Sequence, residues 1–249
     1  MKAGYIMTSN ITLNNITIRK SQERGHANHG WLDSYHSFSF SRYYDLEHMG
    51  YSVLRVINED IVDAGQGFGK HPHRDMEIVT YMLSGQLRHQ DSMGNGSVIG
   101  AGDVQRMTAG TGVEHSEFNA SNTEAAYLLQ IWLLPSKNNL APSYEDKHFT
   151  DAEKLDQWRL IVSEDGREGS LLIHQNVNVY ATKLTQGKHL PYAMQANRSL
   201  YIQVAFGQIN LNGEVLIAGD AAKVDAQTVI DIEAIEASEL VLFDLPAVV

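Results

Sequence analysis

Three short phrases occur twice in this chain, in the same order. In the first half Gly69-Lys70-His71 precedes a run that closes on Gly85-Gln86, and Ala101-Gly102-Asp103 follows. In the second half Gly187-Lys188-His189, Gly207-Gln208 and Ala218-Gly219-Asp220 come in the same sequence. Repetition of turn-shaping pieces around similar runs marks a duplicated supersecondary unit. The runs themselves read as strands. "YSVLRVI" (51–57), "EIVTYML" (77–83), "AAYLLQIWLL" (125–134), "SLYIQVAF" (199–206) and "LVLFDL" (240–245) are short and rich in β-branched and aromatic residues. Turn clusters such as "DSMGNGS" (91–97) and "NLNGE" (210–214) separate them. With 249 residues the chain has room for two units of about 100–150 residues each. The expected fold is all-β, with two halves and few short helices.

The polar stretch "PSKNNLAPSYEDKH" (135–148) holds two of the five prolines and marks the boundary. A helix is expected over 150–158, with Thr150 as N-cap and Glu153 as its capping-box partner. The units are therefore drawn at 1–135, a linker with a short helix at 136–157, and 158–249. The opening "MKAGYIMTSNITL" has one lysine and no apolar stretch, so it does not read as a signal peptide, and Met7 is as good a start as Met1. No run reaches the roughly 18 apolar residues of a membrane helix. The absence of cysteine removes disulfides and thiolate metal sites and fits a reducing cytoplasm. A net charge of −11 disfavours nucleic acid as a partner.

Two further features occur only in the first half. "HPH" places His71 and His73 two residues apart, and "HSE" does the same for His115 and Glu117. On a strand, residues i and i+2 share a face. Each pair therefore points one way, and two such strands lining one barrel would bring three imidazoles and a carboxylate together. Nitrogen and oxygen donors of this kind suit Fe, Mn, Co, Ni, Cu or Zn. A lone His-x-His is more often surface patterning; two pairs, each in a strand context, favour a site. Glu77 continues the parity of His71 and His73 if the strand runs straight, either as a ligand or as a rim carboxylate beside the metal. His89 and Asp91 form another such pair, but "RHQDSMGNG" reads as a solvated hairpin end. His36 is a candidate pocket wall. The glycines of "AGTGVEHSE" lack the Lys-Ser/Thr of a phosphate loop, and no GxSxG nucleophile elbow occurs. In the second half, "HLP" replaces "HPH", and "TVIDIEA" (228–234) has no histidine.

"GFGKHPHRDMEIVTYMLSGQ" and "AGDVQRMTAGTGVEHSEFN" resemble the two cupin motifs of the pirin family, as do the upstream "GHANHGWLDSYHSFSF" (25–40) and "VLRVINEDIVDAGQGF" (53–68). The resemblance covers residues 15–135 strongly, and the second half is similar to the divergent, metal-free C-terminal cupin of the bacterial branch. It implies a bicupin, two jelly-roll β-barrels in one chain, with one divalent transition metal in the first barrel. It assigns His71, His73, His115 and Glu117 as ligands, against the commoner cupin pattern that would use Glu77. It also implies quercetin 2,3-dioxygenase activity on a flavonol-like small molecule with O2. The flavonol would bind through its 3-hydroxyl and neighbouring carbonyl, and the ring would open with release of carbon monoxide. Fe(II) is the expected metal, since it keeps positions open for dioxygen chemistry. Glu117 is the expected base. A planar substrate needs an apolar slot; Phe38, Phe40, Met107 and Trp132 are candidate walls, though barrel core is the commoner fate of each type. Two other readings stand beside this one: a metal-dependent, redox-responsive binding protein, and a cupin enzyme acting on another enolizable molecule. Nothing outside the cupin pattern reads as an added interaction module, and a monomer is expected.

Overall fold

A computed structural model describes residues 15–227 and 229–248. The choice between Met1 and Met7, and Thr228, lie outside them. The first half builds a seven-stranded sheet in the order Ser143–His148, Asp103–Thr108, Glu77–Ser84, Ala126–Leu133, Leu54–Val62, Leu32–His36, Gly25–Asn28. A four-stranded sheet, ordered Gly67–His73, Val113–Asn119, Gln86–Asp91, Gly96–Gly100, covers one of its faces. The second half repeats this plan. Its large sheet runs Ile16–Arg19, Ala221–Asp225, Arg198–Phe206, Ser238–Pro246, Asn178–Leu184, Arg159–Ser163, Leu171–Leu172. Its small sheet runs His189–Ala193, Val229–Ala234, Gln208–Leu211, Glu214–Ile217. The fold is an all-β bicupin made of two jelly rolls.

The repeated phrases have a common physical cause. Gly85 and Gly207 both take a positive φ, 72° and 81°. A Cβ on either would fall 2.4 Å or 2.3 Å from a backbone oxygen of the neighbouring segment. Only glycine fits a left-handed turn so close to another backbone segment. Asp103 and Asp220 each use a carboxylate oxygen to accept the backbone N–H three residues before, from Gly100 and Ile217. Both halves keep the residues that make their turns.

The end strands do not respect the boundaries drawn from sequence. Ile16–Arg19 pairs with Ala221–Asp225 of the second half, and Ser143–His148, inside the stretch read as linker, pairs with Asp103–Thr108 of the first. The two occupy equivalent places. Each covers what would otherwise be an open edge of the sheet it joins. The segment "SYEDKH" reads as linker because its side chains are largely exposed, so the alternation that marks a half-buried strand is weak. The helix is shorter than the expected 150–158, spanning Asp151–Lys154, but Thr150 and Glu153 form the capping box. The chain leaves the helix at Leu155, which is extended.

The central strands of each large sheet are buried on both faces. In Glu77–Ser84 the first seven residues are all buried. Val79, Tyr81 and Leu83 point outward and pack with Ile57, Leu129 and Ile131 against Val179, Tyr201, Val241 and Phe243 of the other half. The two jelly rolls therefore stand back to back on a shared apolar core. The opposite parity, Ile78, Thr80 and Met82, faces the interior of the first barrel. Among the described residues no helix is long and apolar enough to cross a membrane.

Candidate metal centre

The strands Gly67–His73 and Val113–Asn119 are neighbours in the small sheet, with His115 opposite His71. Their imidazoles, with that of His73, converge: ligand-capable atoms of all three lie within 4.8 Å of one another. His71 Nε2 and His115 Nε2 are 3.0 Å apart. His71 Nδ1 is 2.8 Å from the Gly69 carbonyl oxygen. Its proton belongs there, which leaves the Nε2 lone pair facing the cluster. Burial and then the neighbouring imidazoles hold His73 and His115 neutral, at about 4 and about 3. Imidazoles turned toward each other, one buried and two half-buried, with free lone pairs are the donor set of a divalent transition ion, which would replace mutual repulsion with coordination.

Glu117 lies in the same small sheet and is 4 % exposed. It groups within 4.8 Å with His115 and His89, so His115 belongs to two overlapping clusters. The register between the first two strands shifts between His115 and Glu117, which sets Glu117 opposite Phe68 rather than Gly69. Two amides from the facing sheet hold its carboxylate. Gln105 Nε2 donates to Oε1 at 2.9 Å and Gln130 Nε2 approaches Oε2 at 3.4 Å. The Gln105 carbonyl is itself taken by the Tyr144 hydroxyl at 3.2 Å, so its amide must present N–H to Glu117.

These glutamines belong to a polar row that crosses the interior face of the large sheet. Strand register aligns Gln105, Thr80, Gln130, Asn58 and His36 in that order. Thr80 Oγ1 donates to Gln130 Oε1 at 2.7 Å. The matching row of the second barrel is Ala222, Ile202, Leu242, Tyr180 and Leu160. Ile202 stands five residues before Gly207, as Thr80 stands five before Gly85. The second interior is thus a packed apolar core, built with Leu200, Val204, Ile209, Leu211 and Ile232. Its His189 meets Asp231 at 2.8 Å on the exterior, where both are exposed.

A cavity of about 830 Å³ opens over the histidines. His36, Phe40 and Trp132 line it, with Trp132 edge-on to both Phe40 and His73, at ring separations of 5.3 and 5.0 Å. Three other candidates lie elsewhere. Phe38 lies in the core between the barrels, 5.4 Å from the Tyr201 ring. Met107 packs with Ile78, Ala109 and Val113 behind the cavity wall. Glu77 is on the wrong face: the chain turns at Asp75, whose φ is 46°, and enters the other sheet. The alternation begun at His71 is broken there. Glu77 accepts a bond from Thr108 at 2.9 Å, and burial pushes its carboxyl up to about 7.

His89, read as part of a solvated turn, is fully buried within Gln86–Asp91. Its Nε2 is 3.2 Å from Asp91 and its Nδ1 3.5 Å from His115 Nδ1. With Asp91 taking the Nε2 proton, His89 Nδ1 accepts from His115 and turns the His115 Nε2 lone pair toward His71. Ser34, Asn58 and Asp60 also line the cavity. The i, i+2 spacing that singles out His71 and His73 is present in Ser34/His36 and Asn58/Asp60 as well.

A duplicated jelly roll with one polar, histidine-rich interior and one apolar interior defines a bicupin whose candidate metal clusters, among the described residues, lie in the first barrel. The Pirin family model matches residues 17–133, and a model described as the quercetinase C-terminal cupin domain matches 160–245. The chain is 49% identical to a quercetin 2,3-dioxygenase of Escherichia coli (strain K12), over 94% of this chain and all of that one. It is 39% identical to a pirin-like protein of Caulobacter vibrioides, over 88% and 95%. Among solved structures it is similar to YhhW from Escherichia coli, with TM-score 0.90, 48% identity and 94% and 98% coverage. A nickel(II) complex of bacterial pirin YhhW gives 0.89, 47%, 94% and 100%. The chain belongs to the pirin family.

Proposed function

We propose that this protein is a metal-dependent dioxygenase that opens a flavonol such as quercetin at its 2,3 bond, with one divalent metal in the first barrel held by His71, His73, His115 and Glu117. The observation that carries the reading is the convergence of three imidazoles beside a buried carboxylate at the base of one large, aromatic-walled cavity. The name of a 49%-identical relative, quercetin 2,3-dioxygenase, supports the substrate class, and the nickel complex of a similar protein supports a divalent ion. Fe(II) is the proposed metal, because its preference for five or six ligands keeps room for substrate and O2 beside four protein groups. When bound, it would supply the Lewis acidity and the redox chemistry that O2 requires.

The chain's own residues account for the remainder. Trp132 and Phe40, packed edge to face, form an apolar wall against which a planar ring system lies. Glu117 is placed to take the proton of the flavonol 3-hydroxyl. Gln105 and Gln130 fix its carboxylate between two N–H donors, so the base is oriented before substrate arrives.

The test is the gas balance of quercetin turnover. Fe(II)-loaded protein is expected to consume one O2 and release one carbon monoxide per flavonol, and the zinc form and a His73→Ala variant are expected to be inactive. Equal O2 uptake by all three, or turnover without carbon monoxide, would remove the dioxygenase reading.

A further inference from the structure

The cavity has a second polar end that the chemistry above does not use. Ser34 and His36 on Leu32–His36 pair with Asp60 and Asn58 on Leu54–Val62. All four are at most 4 % exposed, yet all four line the cavity. Ser34 Oγ donates to Asp60 Oδ1, and His36 Nδ1 lies 2.9 Å from Asn58 Oδ1, to which its proton is given. That leaves three atoms with no hydrogen-bond partner among the described residues: Asp60 Oδ2, Asn58 Nδ2 and His36 Nε2. None is among the fully enclosed atoms that lack a partner, so each keeps access to the cavity. Buried polar atoms are almost always satisfied, and a group that is not points to something that binds it.

Position adds to this. Gln130, which holds Glu117, is directly opposite Asn58, and His36 is one strand further. At the usual spacing between strands this places the second end roughly 5–10 Å from the Gln130 amide. Leu128 and Phe68 supply apolar lining beside it. A single ring held at Glu117 would leave the second end unfilled; a further ring joined to the first would reach it.

We propose that Asp60, Asn58 and His36, with Ser34 holding Asp60 in place, form a recognition site for a hydroxylated ring at the far end of an elongated polyphenol. The chemistry selects vicinal hydroxyls: one donates to Asp60 Oδ2 and accepts from Asn58 Nδ2, and its neighbour donates to His36 Nε2. Burial holds the Asp60 carboxyl up at about 7, so it accepts or shares a proton with a phenol without the repulsion a fixed anion would impose on a phenolate. The proposal rests on the dioxygenase reading for the orientation of the ligand, and it assigns these residues the choice among flavonols.

The experiment is calorimetric binding to nickel-loaded protein without O2, which reads affinity rather than turnover. The two probes are quercetin and the same flavonol lacking its two catechol hydroxyls. Wild-type protein is expected to bind quercetin about tenfold more tightly, the worth of one good hydrogen bond. In Asp60→Leu that ratio is expected to fall to about one. Asn58→Ala carries the same expectation and stands in if Asp60→Leu does not fold. A tenfold ratio that persists in the folded variants, or a wild-type ratio of one, overturns the proposal and leaves the dioxygenase reading in place. Failure of wild-type protein to bind either flavonol overturns both.

Discussion

Two carboxyls, Asp60 and Glu77, sit on opposite faces of the first large sheet, and burial pushes each up to about 7. Their environments differ. Asp60 opens onto the cavity, whereas Glu77 faces the second barrel and leaves one oxygen with no partner. The pH dependence of stability follows for Glu77. Its folded form keeps a proton that the unfolded chain loses near 4.5, so its contribution is complete below that value and is lost as pH rises through about 7. His73 and His115 act in the other direction. Held neutral to about 4 and about 3, they contribute stability above the ordinary 6.5 that is lost as acid protonates the unfolded chain first. Glu77→Gln isolates the first effect. Melting temperatures of metal-free protein are expected to show the variant gaining on wild type as pH is raised from about 5 to about 8. Parallel curves would mean that Glu77 does not keep its proton.

Among elements, the strand Glu77–Ser84 joins the two functions of the large sheet, since its even positions face the site and its odd positions face the other barrel. Tyr81 exemplifies the outward face. Its hydroxyl donates to Glu239 of the second half and receives a bond from the fully buried Lys154 of the short helix at 3.1 Å. Lys154 Nζ is also 3.7 Å from Glu239, whose other oxygen is 3.8 Å from Lys183 Nζ, so two ammoniums, one phenol and one carboxylate close the seam between linker and barrels. Removing one partner of a buried charge pair typically costs about 3–5 kcal/mol, because the other is left uncompensated. Glu239→Leu is expected to lower unfolding free energy by roughly that amount, read from chemical denaturation; a change under about 1 kcal/mol would show that Lys154 gives up its charge instead. The sequence carried the strands well, because alternation and glycine turns are local signals. It misplaced Glu77 because the parity count ran through Asp75, where a left-handed residue moves the chain to another sheet. It undervalued His89 because the glycines after Asp91 mark a turn without showing that the residues before it are paired on both sides. Asn58 and Asp60 had the right spacing, but their meaning depends on His36 and Gln130, which lie far away in sequence.

At the scale of the molecule, one unit was duplicated and the copies were put to different uses. The turns are common to both: Gly85 and Gly207, Asp103 and Asp220. The interiors are not. A row of Gln105, Thr80, Gln130, Asn58 and His36 leaves the first barrel polar and hollow, while Ala222, Ile202, Leu242, Tyr180 and Leu160 fill the second. Half of this contrast is visible in the chain, since "HLP" and "TVIDIEA" lack the histidine pairs. The other half needs strand register, because no residue of either row is next to another in sequence. The second barrel then serves as the apolar partner against which the first large sheet is buried, and the carboxylates beside His189 remain on its surface. The most direct test of this division is the metal content of purified protein by mass spectrometry. Wild type and His189→Ala are each expected to hold one equivalent of divalent transition metal per chain, and His71→Ala/His115→Ala is expected to hold none. Two equivalents in wild type, with one surviving in the double variant, would contradict the account by showing that the second barrel also holds a site.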